Sequence, residues 1–459
     1  MSTRIVVVGG GTAGARLAQR LPVTLLGEEP HAPYNRVLLA DVLAGRYAPE
    51  VIALPGTREP ARLGVRAVRI DRAARTVECA DGSLVGYDRL VLATGSNPVL
   101  PPLRGLRGPG GAGGVEPPEG VHAFRTLDDC LALRGRVRPG ARAVVIGGGL
   151  LGVSAARALA ALGAEVVLTQ QGERLMERQL DPTASDLLRK HVESLGVEVH
   201  TECRVSGLRQ RDGEVTAVEL ADGFVLDAQV VVLACGVRPR VALAREAGLV
   251  VATGIVVDDE LRTSDPRIHA IGDCAEHDGR VYGLAGPALD QADALTAVLL
   301  AETSASTAGR PVGTQPAPVT DPHPDGDALP VRVQAQGAEA PARAPSVVPT
   351  AAAPATDAPA AGYTGTRALT RLTLTGAHPL DLAAFGETTP RPGDDVVQLT
   401  DATRRAYRKV VVRGDRLVGG VLLGDLAAVG TLARAWEGDE ALPDEAPLLH
   451  LLTHDGGSS

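Results

Sequence analysis

"RIVVVGGGTAG" at residues 4–14 decides the fold of this chain of 459 residues. Residues 5–8 form an apolar run of β-branched side chains, which predicts a strand buried in a parallel sheet. Gly9, Gly11 and Gly14 then follow the pattern GxGxxG. The first glycine permits a tight turn, the second lets backbone approach a pyrophosphate, and the third lets a helix pack closely on the strand. The stretch therefore predicts a dinucleotide-binding turn.

The residues that follow complete a nucleotide-binding unit. A helix over residues 13–20 would direct its N-terminus at the phosphates, with Thr12 and Ala13 at its start. A second strand ends in Glu28 and Glu29, at the distance where an acidic side chain meets an adenosine ribose hydroxyl. We favour Glu28 as the ribose ligand, with Glu29 as the neighbouring candidate.

The same pattern returns in "RAVVIGGGLLG" at residues 142–152, between a strand and an alanine-rich helix. The second strand of this copy ends before Gln170, where NAD-binding units carry an acid, so the choice between NADH and NADPH stays open. Arg174 could meet a 2′-phosphate, and a solvated side chain is the alternative. The candidate nucleotide-binding residues of this copy are Gly147, Gly149, Leu150, Leu151, Gly152 and Gln170.

Two dinucleotide sites on one chain suggest a flavin paired with a nicotinamide, since one can give hydride and the other take it. Three further strands end in motifs: "ATG" with Thr94 and Gly95, "GD" with Gly272 and Asp273, and "ACG" with Gly236. In this order the motifs resemble the flavoprotein disulfide reductase-like enzymes over about the first 300 residues. The resemblance implies FAD at the first turn, NAD(P)H at the second, and an aspartate that holds the ribityl chain.

The expected fold is α/β, with two Rossmann-like FAD/NAD(P)-binding domains and a small α+β C-terminal domain. The FAD domain must be discontinuous, because its "GD" motif returns after the second unit ends. A segment dominated by Ala, Pro, Thr and Gly cannot bury enough apolar area to fold, and we expect a disordered linker there. The expected divisions are residues 1–121 and 247–302 for FAD, 122–246 for NAD(P)H, 303–362 for the linker, 363–437 for the C-terminal domain and 438–459 for a tail.

The segment "YNRVLLADVLAG" at residues 34–45 contains no cysteine. Enzymes that pass flavin electrons through a protein disulfide or sulfenic acid need one near the flavin, so disulfide reductase, peroxidase and water-forming oxidase activities lose support. Cys274 follows Asp273, and we expect it to be a small buried filler rather than a redox centre. Cys235 stands where the family has a small or hydroxyl residue.

The longer stretch "EEPHAPYNRVLLADVLAG" resembles the flavin portion of NAD(P)H-dependent nitrite reductase large subunits and of assimilatory nitrate reductase electron-transfer subunits. That resemblance implies a contact between Arg36 and FAD. Related ferredoxin and rubredoxin reductases carry a lysine beside the flavin ring at the position of Asp41, so the resemblance does not imply a lysine-assisted hydride step here. Asp41 could instead be a surface or helix-capping carboxylate. In "LAGPALDQADALTAVLL", from residue 284, the resemblance places Pro287 and Gln291 on the flavin side, with ordinary helix packing as the alternative.

After the linker, alternating strands and a helix predict a compact α+β module. It is similar to the small domain that follows the flavin domains in rubredoxin reductases and nitrite reductase large subunits. There it helps to cover the flavin and shape the acceptor surface, and a purely structural lid is the alternative.

Composition excludes several classes of function. The net charge of −9, from 46 basic and 55 acidic residues, comes with no basic run, so we expect neither nucleic acid nor membrane as a partner. The five cysteines are scattered, which is typical of a reduced cytoplasmic protein and predicts no metal site. We expect no leader or membrane span. His31, His122 and His191 form no cluster, and hydride transfer needs no protein base, so no catalytic residue is expected.

The expected activity is that of an FAD-dependent NAD(P)H oxidoreductase that passes electrons to a separate iron-containing partner. The resemblance implies a nitrate or nitrite reductase catalytic subunit, or a small iron-sulfur protein of the ferredoxin or rubredoxin type. Nitrite reductase large subunits continue into cysteine-rich iron-sulfur and sirohaem segments, and no cysteine follows Cys274, so we expect no nitrite reduction by this chain alone. The alternatives are a stand-alone NAD(P)H oxidase and a flavin-bound redox sensor. The acceptor and the oligomeric state stay open.

Overall fold

The computed structural model describes residues 3–106, 117–308, 362–376, 379–401, 403–439, 441–442 and 452. The first part contains β1 Ile5–Val8, α1 Thr12–Arg20, β2 Thr24–Gly27, α2 Leu39–Leu43, β3 Arg62–Leu63, β4 Ala67–Asp71, β5 Thr76–Cys79, β6 Leu84–Gly86, β7 Arg89–Leu92 and β8 Ser96–Pro98.

The middle part runs through a second sheet and returns to the first. Its elements are β9 Val121–Ala123, α3 Leu127–Arg136, β10 Arg142–Ile146, α4 Leu150–Ala161, β11 Glu165–Thr169, α5 Pro182–Ser194, β12 Val197–His200, β13 Val205–Arg211, β14 Glu214–Leu220, β15 Val225–Asp227, β16 Val230–Leu233, β17 Val237–Pro239, α6 Ala242–Glu246, β18 Ile255–Val257, β19 Ile268–Ala270, β20 Ala275–His277 and α7 Ala285–Ala308. The last part contains β21 Leu369–Leu374, β22 Leu380–Gly386, β23 Asp395–Asp401, β24 Ala406–Arg413, β25 Arg416–Leu423 and α8 Val429–Glu437.

Two parallel five-stranded sheets dominate the first two parts. Their strand orders are β19-β7-β1-β2-β3 and β12-β11-β10-β16-β9. The strands that carry the two glycine patterns, β1 and β10, lie in the middle of their sheets, and every residue of β1 is buried. A strand covered on both faces needs such a continuous apolar run. The predicted α/β fold is therefore confirmed.

The chain crosses between the two sheets twice, and the two crossings pair with each other. Strand β8 leaves the first sheet, β17 leads back from the second, and the two are antiparallel partners. After this return, β19 pairs with β7 and completes the first sheet. The first unit is thus built from two separated parts of the sequence.

The C-terminal part is an antiparallel sheet of order β21-β22-β25-β24-β23. One face packs under α8, where the rings of Phe385 and Trp436 lie 5.2 Å apart between centroids. The other face shares one hydrophobic core with the helices of the second unit and with α2. The three parts therefore meet around α2 and α4.

The predicted linker and the predicted tail lie largely outside the described residues. Helix α7 continues to Ala308, past residue 303 where the linker was expected to begin. The rest of that linker, residues 309–361, lies outside the described residues, as does most of the expected tail. Among the described helices, none is both long and apolar enough to cross a bilayer.

Candidate flavin and nicotinamide sites

The two glycine turns have the same geometry. Gly9 and Gly147 have φ angles of 118° and 112°, in the left-handed region that favours glycine. A Cβ on Gly14 would lie under 3.0 Å from the Gly9 carbonyl oxygen, and a Cβ on Gly152 equally close to that of Gly147. Only glycine lets each helix settle this closely on its strand.

The middle glycine of each turn faces open space. At Gly11 and Gly149 a Cβ would meet no described atom within 4 Å apart from the adjacent backbone. These glycines are the N-cap residues of α1 and α4, whose first turns hold Thr12 and Ala13 and, in the second copy, Leu150 and Leu151. Neither first turn contains an acidic residue that would repel phosphate. Each turn therefore fits a pyrophosphate against a helix N-terminus.

Three segments meet at Asp273, two from the first unit and one that follows β9 of the second sheet. Its carboxylate accepts hydrogen bonds from Arg125 at 2.6 Å and Ser96 at 2.8 Å. The adjacent Gly272 N–H donates to the side-chain oxygen of Gln291 at 2.7 Å, and Gln291 is buried in α7. The predicted Asp273 and Gln291 thus lie at one site.

The site around Asp273 is enclosed by segments that carry three other candidates, Thr94, Gly95 and Pro287. The Thr94 hydroxyl donates to the Arg240 carbonyl at 2.8 Å, and the Gly95 carbonyl accepts from the Arg240 N–H. Pro287 is buried in the first turns of α7. These contacts join the predicted "ATG" residues to the returning crossing β17.

Arg125 is a charged residue of this site that the sequence reasoning missed. It directly precedes Thr126, the N-cap of α3, whose side chain forms a capping box with Asp129. The Arg125 backbone N–H also donates to Asp129 at 3.1 Å. An arginine immediately before a strong helix start was the available signal.

The two acidic candidates at the end of β2 have different partners. Glu29 accepts from the Tyr34 hydroxyl at 2.6 Å and from Arg36, and its side chain is 24% exposed. Glu28 pairs with Arg240 at 2.6 Å and is 40% exposed. Glu28 is therefore the more accessible carboxylate, whereas Glu29 and Arg36 are engaged with each other.

The second turn is closed by a neutral side chain. The Gln170 side-chain oxygen accepts from the Gly148 N–H at 2.8 Å. Arg174 donates to the adjacent Glu173 at 2.8 Å. Gly236 follows β16 with a φ of 96°. Gln170, the candidate for the ribose position of this unit, is an amide, which carries no charge to repel a 2′-phosphate.

Comparisons with known proteins bear on these two turns. Residues 3–292 match the pyridine nucleotide-disulphide oxidoreductase family, and residues 370–438 match the rubredoxin NAD+ reductase C-terminal domain. The chain belongs to the pyridine nucleotide-disulphide oxidoreductase family. It is an FAD-dependent NAD(P)H oxidoreductase, as that family and its relatives show.

Three curated relatives in this family are similar to the chain. The nitrite reductase [NAD(P)H] large subunit of Klebsiella oxytoca is 32% identical over 471 residues, covering 98% of this chain and 42% of that protein. The assimilatory nitrate reductase electron transfer subunit of Bacillus subtilis is 35% identical, covering 64% of this chain and 38% of that protein. The rubredoxin-NAD(+) reductase of Pseudomonas putida is 33% identical, covering 59% of this chain and 71% of that protein. The chain spans less than half the length of the first two relatives.

Solved structures show the same fold over the whole chain. A ferredoxin reductase from Rhodopseudomonas palustris is 25% identical with a TM-score of 0.75, covering 98% of both chains. Putidaredoxin reductase, solved in a covalent complex with putidaredoxin, is 23% identical with a TM-score of 0.74 and covers all of both chains. At 23% identity, the match to putidaredoxin reductase supports only a shared fold.

The structure corrects the suggestion that Asp41 is a surface or helix-capping carboxylate. Asp41 is neither, because the cap of α2 is Leu38 and the Asp41 side chain is only 13% exposed. Its carboxylate pairs with Arg157 of α4 at 3.0 Å. The position that carries a lysine in related reductases thus holds one half of an ion pair here.

Cys274 is buried, as predicted. All five cysteines are free, and burial raises the pKa of the Cys274 thiol. Burial also raises the pKa of Cys235 to about 11. Neither thiol would be a thiolate near neutral pH, which is the form that exchanges electrons with a flavin or a disulfide.

The histidines named from the sequence lie on different elements. His31 pairs with Asp128 at 2.7 Å, His122 lies in β9 and His191 lies in α5. Burial lowers the pKa of His122. Within the part of the chain that the structure describes, no group of three or more metal-ligating side chains comes together.

Proposed function

We propose that this oxidoreductase takes hydride from NAD(P)H and delivers electrons to a separate iron-containing partner in assimilatory nitrate or nitrite reduction. The observation that carries the proposal is the pair of open glycine turns on one chain, at Gly11 and Gly149, each facing a helix N-terminus. The names of two relatives, a nitrite reductase large subunit and a nitrate reductase electron transfer subunit, support the metabolic setting.

The first turn is our proposed FAD site. FAD, when bound, accepts two electrons as hydride and can release them singly. The chain binds its pyrophosphate at α1, its adenosine ribose at Glu28 and its ribityl chain beside Asp273. The proposed FAD-binding residues are Gly9, Gly11, Thr12, Ala13, Gly14, Glu28, Glu29, Arg36, Thr94, Gly95, Gly272, Asp273, Pro287 and Gln291. Arg125 joins this set, because its guanidinium lies 2.6 Å from Asp273.

The second turn is our proposed NAD(P)H site. Its open Gly149 faces the pyrophosphate, and the neutral Gln170 admits either nucleotide, because it neither binds a 2′-hydroxyl as a carboxylate does nor repels a 2′-phosphate. The proposed residues are Gly147, Gly149, Leu150, Leu151, Gly152, Gln170 and Gly236. The chain's task here is to hold the nicotinamide against the flavin, since positioning supplies much of the rate of such transfers.

The division into parts follows the proposed sites. We assign the FAD domain to residues 1–121 and 247–302, the NAD(P)H domain to 122–246 and the C-terminal domain to 363–437. The C-terminal sheet lies against α2 and the second unit, a position that supports a role in covering the flavin and shaping the acceptor surface.

The proposed acceptor is a nitrate or nitrite reductase catalytic subunit, or a small ferredoxin- or rubredoxin-type protein. The names of the relatives support this choice, since they include a rubredoxin reductase as well as nitrite and nitrate reductases. We place the reaction in the cytoplasm, which suits five unpaired cysteines.

The test is a comparison of acceptors. The purified holoprotein is mixed with NADH or NADPH and then with oxidised ferredoxin, rubredoxin or dissolved oxygen, and turnover is measured for each. We expect turnover with an iron protein to exceed oxygen consumption clearly. Faster reaction with oxygen would show a stand-alone oxidase, and no turnover with any acceptor would favour a redox sensor; either result contradicts the proposal.

A further inference from the structure

Three side chains from three parts of the molecule meet at a single buried point. Asp41 lies in α2 of the first unit, Arg157 in α4 of the second unit, and Thr375 directly after β21 of the C-terminal sheet. Arg157 donates to the Asp41 carboxylate at 3.0 Å and to the Thr375 hydroxyl at 2.6 Å. The Thr375 hydroxyl donates to the same Asp41 oxygen at 3.0 Å. Each member thus contacts both of the others.

This cluster is withdrawn from water. The Arg157 side chain is 3% exposed and that of Asp41 is 13% exposed. The Arg157 Nε is buried and finds no hydrogen-bond partner among the described residues. Such a pair is expensive to bury, and apolar side chains of similar volume often give equal or greater stability. Stability alone is therefore a poor reason for an arginine at this position.

Directionality distinguishes the ion pair from an apolar contact. An arginine fork reaches its partners only over a narrow range of distances and angles, whereas packed aliphatic side chains tolerate sliding. Because the three members belong to different parts, they are all in reach only when those parts have one relative orientation. The cluster therefore favours that orientation over others.

A second buried pair strengthens one side of this arrangement. Asp181, the N-cap of α5, accepts from Tyr407 at 2.6 Å and pairs with Lys409 at 2.9 Å, both on β24. The second unit and the C-terminal sheet are thus tied to each other at two points. The contact through Asp41 ties both of them to the first unit at one further point, beside the Arg240–Glu28 and Arg125–Asp273 ion pairs that join the first two units elsewhere.

We propose that Asp41, Arg157 and Thr375 form an interdomain clasp that positions the nicotinamide-binding unit against the flavin-binding unit for hydride transfer. The inference rests on the proposed placement of FAD in the first unit and NAD(P)H in the second. Arg157 is a positioning residue, since it acts on the relative placement of the two units and lies in α4 behind the open turn. Misplacement of reacting groups by about 1 Å can lower a rate by about 100-fold.

The test compares Arg157→Met with the wild-type holoprotein. Anaerobic stopped-flow mixing with NADPH and NADH gives the limiting rate of flavin reduction and, from its saturation, the nucleotide Kd. We expect the limiting rate to fall about tenfold or more while the Kd changes less than threefold, because the glycine turn is untouched. The rate is measured per bound flavin, so partial loss of folded protein does not imitate this result.

A second readout does not depend on activity. Hydrogen exchange of the holoprotein without nucleotide should become faster in Leu39–Leu43 and Leu369–Leu374 when Arg157 is replaced. The matched control is Arg142→Met, which removes an exposed ion pair with Asp227 from the same unit and should leave both readouts unchanged. If Arg157→Met does not fold, Asp41→Asn keeps the shape and the hydrogen bond but removes one charge, and should still lower the limiting rate at least threefold.

The outcomes separate the clasp from the proposed function. A limiting rate within twofold of wild type in both variants, or an unchanged exchange pattern, would overturn the clasp. A rise in Kd with an unchanged limiting rate would overturn it as well, since it would place Arg157 in nucleotide binding. A wild-type protein that neither nucleotide reduces would contradict the proposed function, while the exchange measurement would still decide whether the three side chains hold the units together.

Discussion

Replacing Gly149 by alanine should separate nicotinamide binding from folding. Gly149 has φ −80° and ψ −175°, which alanine adopts without strain, and a new Cβ would meet no described atom within 4 Å apart from the adjacent backbone. The loss of N-cap preference and the gain from a stiffer unfolded chain are each below about 1 kcal/mol and oppose each other. We expect the free energy of unfolding to change by less than about 1 kcal/mol.

Binding should respond much more strongly. The added methyl group would stand where the pyrophosphate approaches the N-terminus of α4, and would cost one charge-assisted hydrogen bond. Each such bond contributes about 1.5–3 kcal/mol. At about 1.4 kcal/mol per tenfold, the affinity for NAD(P)H should fall about 10- to 100-fold. FAD content should stay at the wild-type ratio, because the first turn is unchanged.

Gly152→Ala is the matched comparison within the same turn. A Cβ there would lie well under 3.0 Å from the Gly147 carbonyl oxygen, so α4 must move away from β10. Overpacking of this kind costs about 1–3 kcal/mol or more, and the melting temperature should fall. Thermal unfolding, FAD absorbance and nucleotide titration are measured on both variants. The reasoning is refuted if Gly149→Ala binds NAD(P)H like wild type or loses FAD, or if Gly152→Ala is as stable as wild type.

Four further changes have defined outcomes. Gly11→Glu should abolish FAD retention, because its side chain enters the space before α1; a purified variant with full yellow colour would contradict this. Arg125→Met should lower FAD affinity about tenfold or more by leaving Asp273 without its cation, as measured by FAD titration of the apoprotein. Gln170→Glu should raise the KM for NADPH more than that for NADH, since it adds a negative charge beside the 2′-phosphate, and equal effects on both would argue against this placement. Burial lowers the pKa of His269 to about 4, so the unfolded chain takes up the proton first and stability falls as the pH drops below about 6.5. Urea unfolding should show a loss of about 2 kcal/mol between pH 7 and pH 5 from this group, a loss that His269→Gln should remove.

The sequence was most informative where the determinants are local. Each glycine pattern lies within a few residues of the strand and helix that it joins, so spacing alone predicted both turns and the middle strands of both sheets. The closely approaching carbonyls of Gly9 and Gly147 are the physical reason for that spacing. A short-range steric requirement of this kind leaves a readable pattern.

Contacts between distant segments left no such pattern. Asp41 and Arg157 are 116 residues apart, and Arg125 and Asp273 are 148 apart. Their pairing follows from how the units dock, and docking depends on many side chains at once. For this reason Asp41 could be recognised as unusual for its position, while its partner could be found only in the structure.

Anaerobic reduction of the purified yellow protein by NADH and NADPH in parallel tests the central claim most directly. If the first turn holds FAD and the second holds NAD(P)H, at least one nucleotide should bleach the flavin absorbance rapidly and with saturation, and Gly149→Ala should require about 10- to 100-fold more of it. A flavin that neither nucleotide bleaches, or bleaching that is unaffected by Gly149→Ala, would contradict the assignment of the second turn.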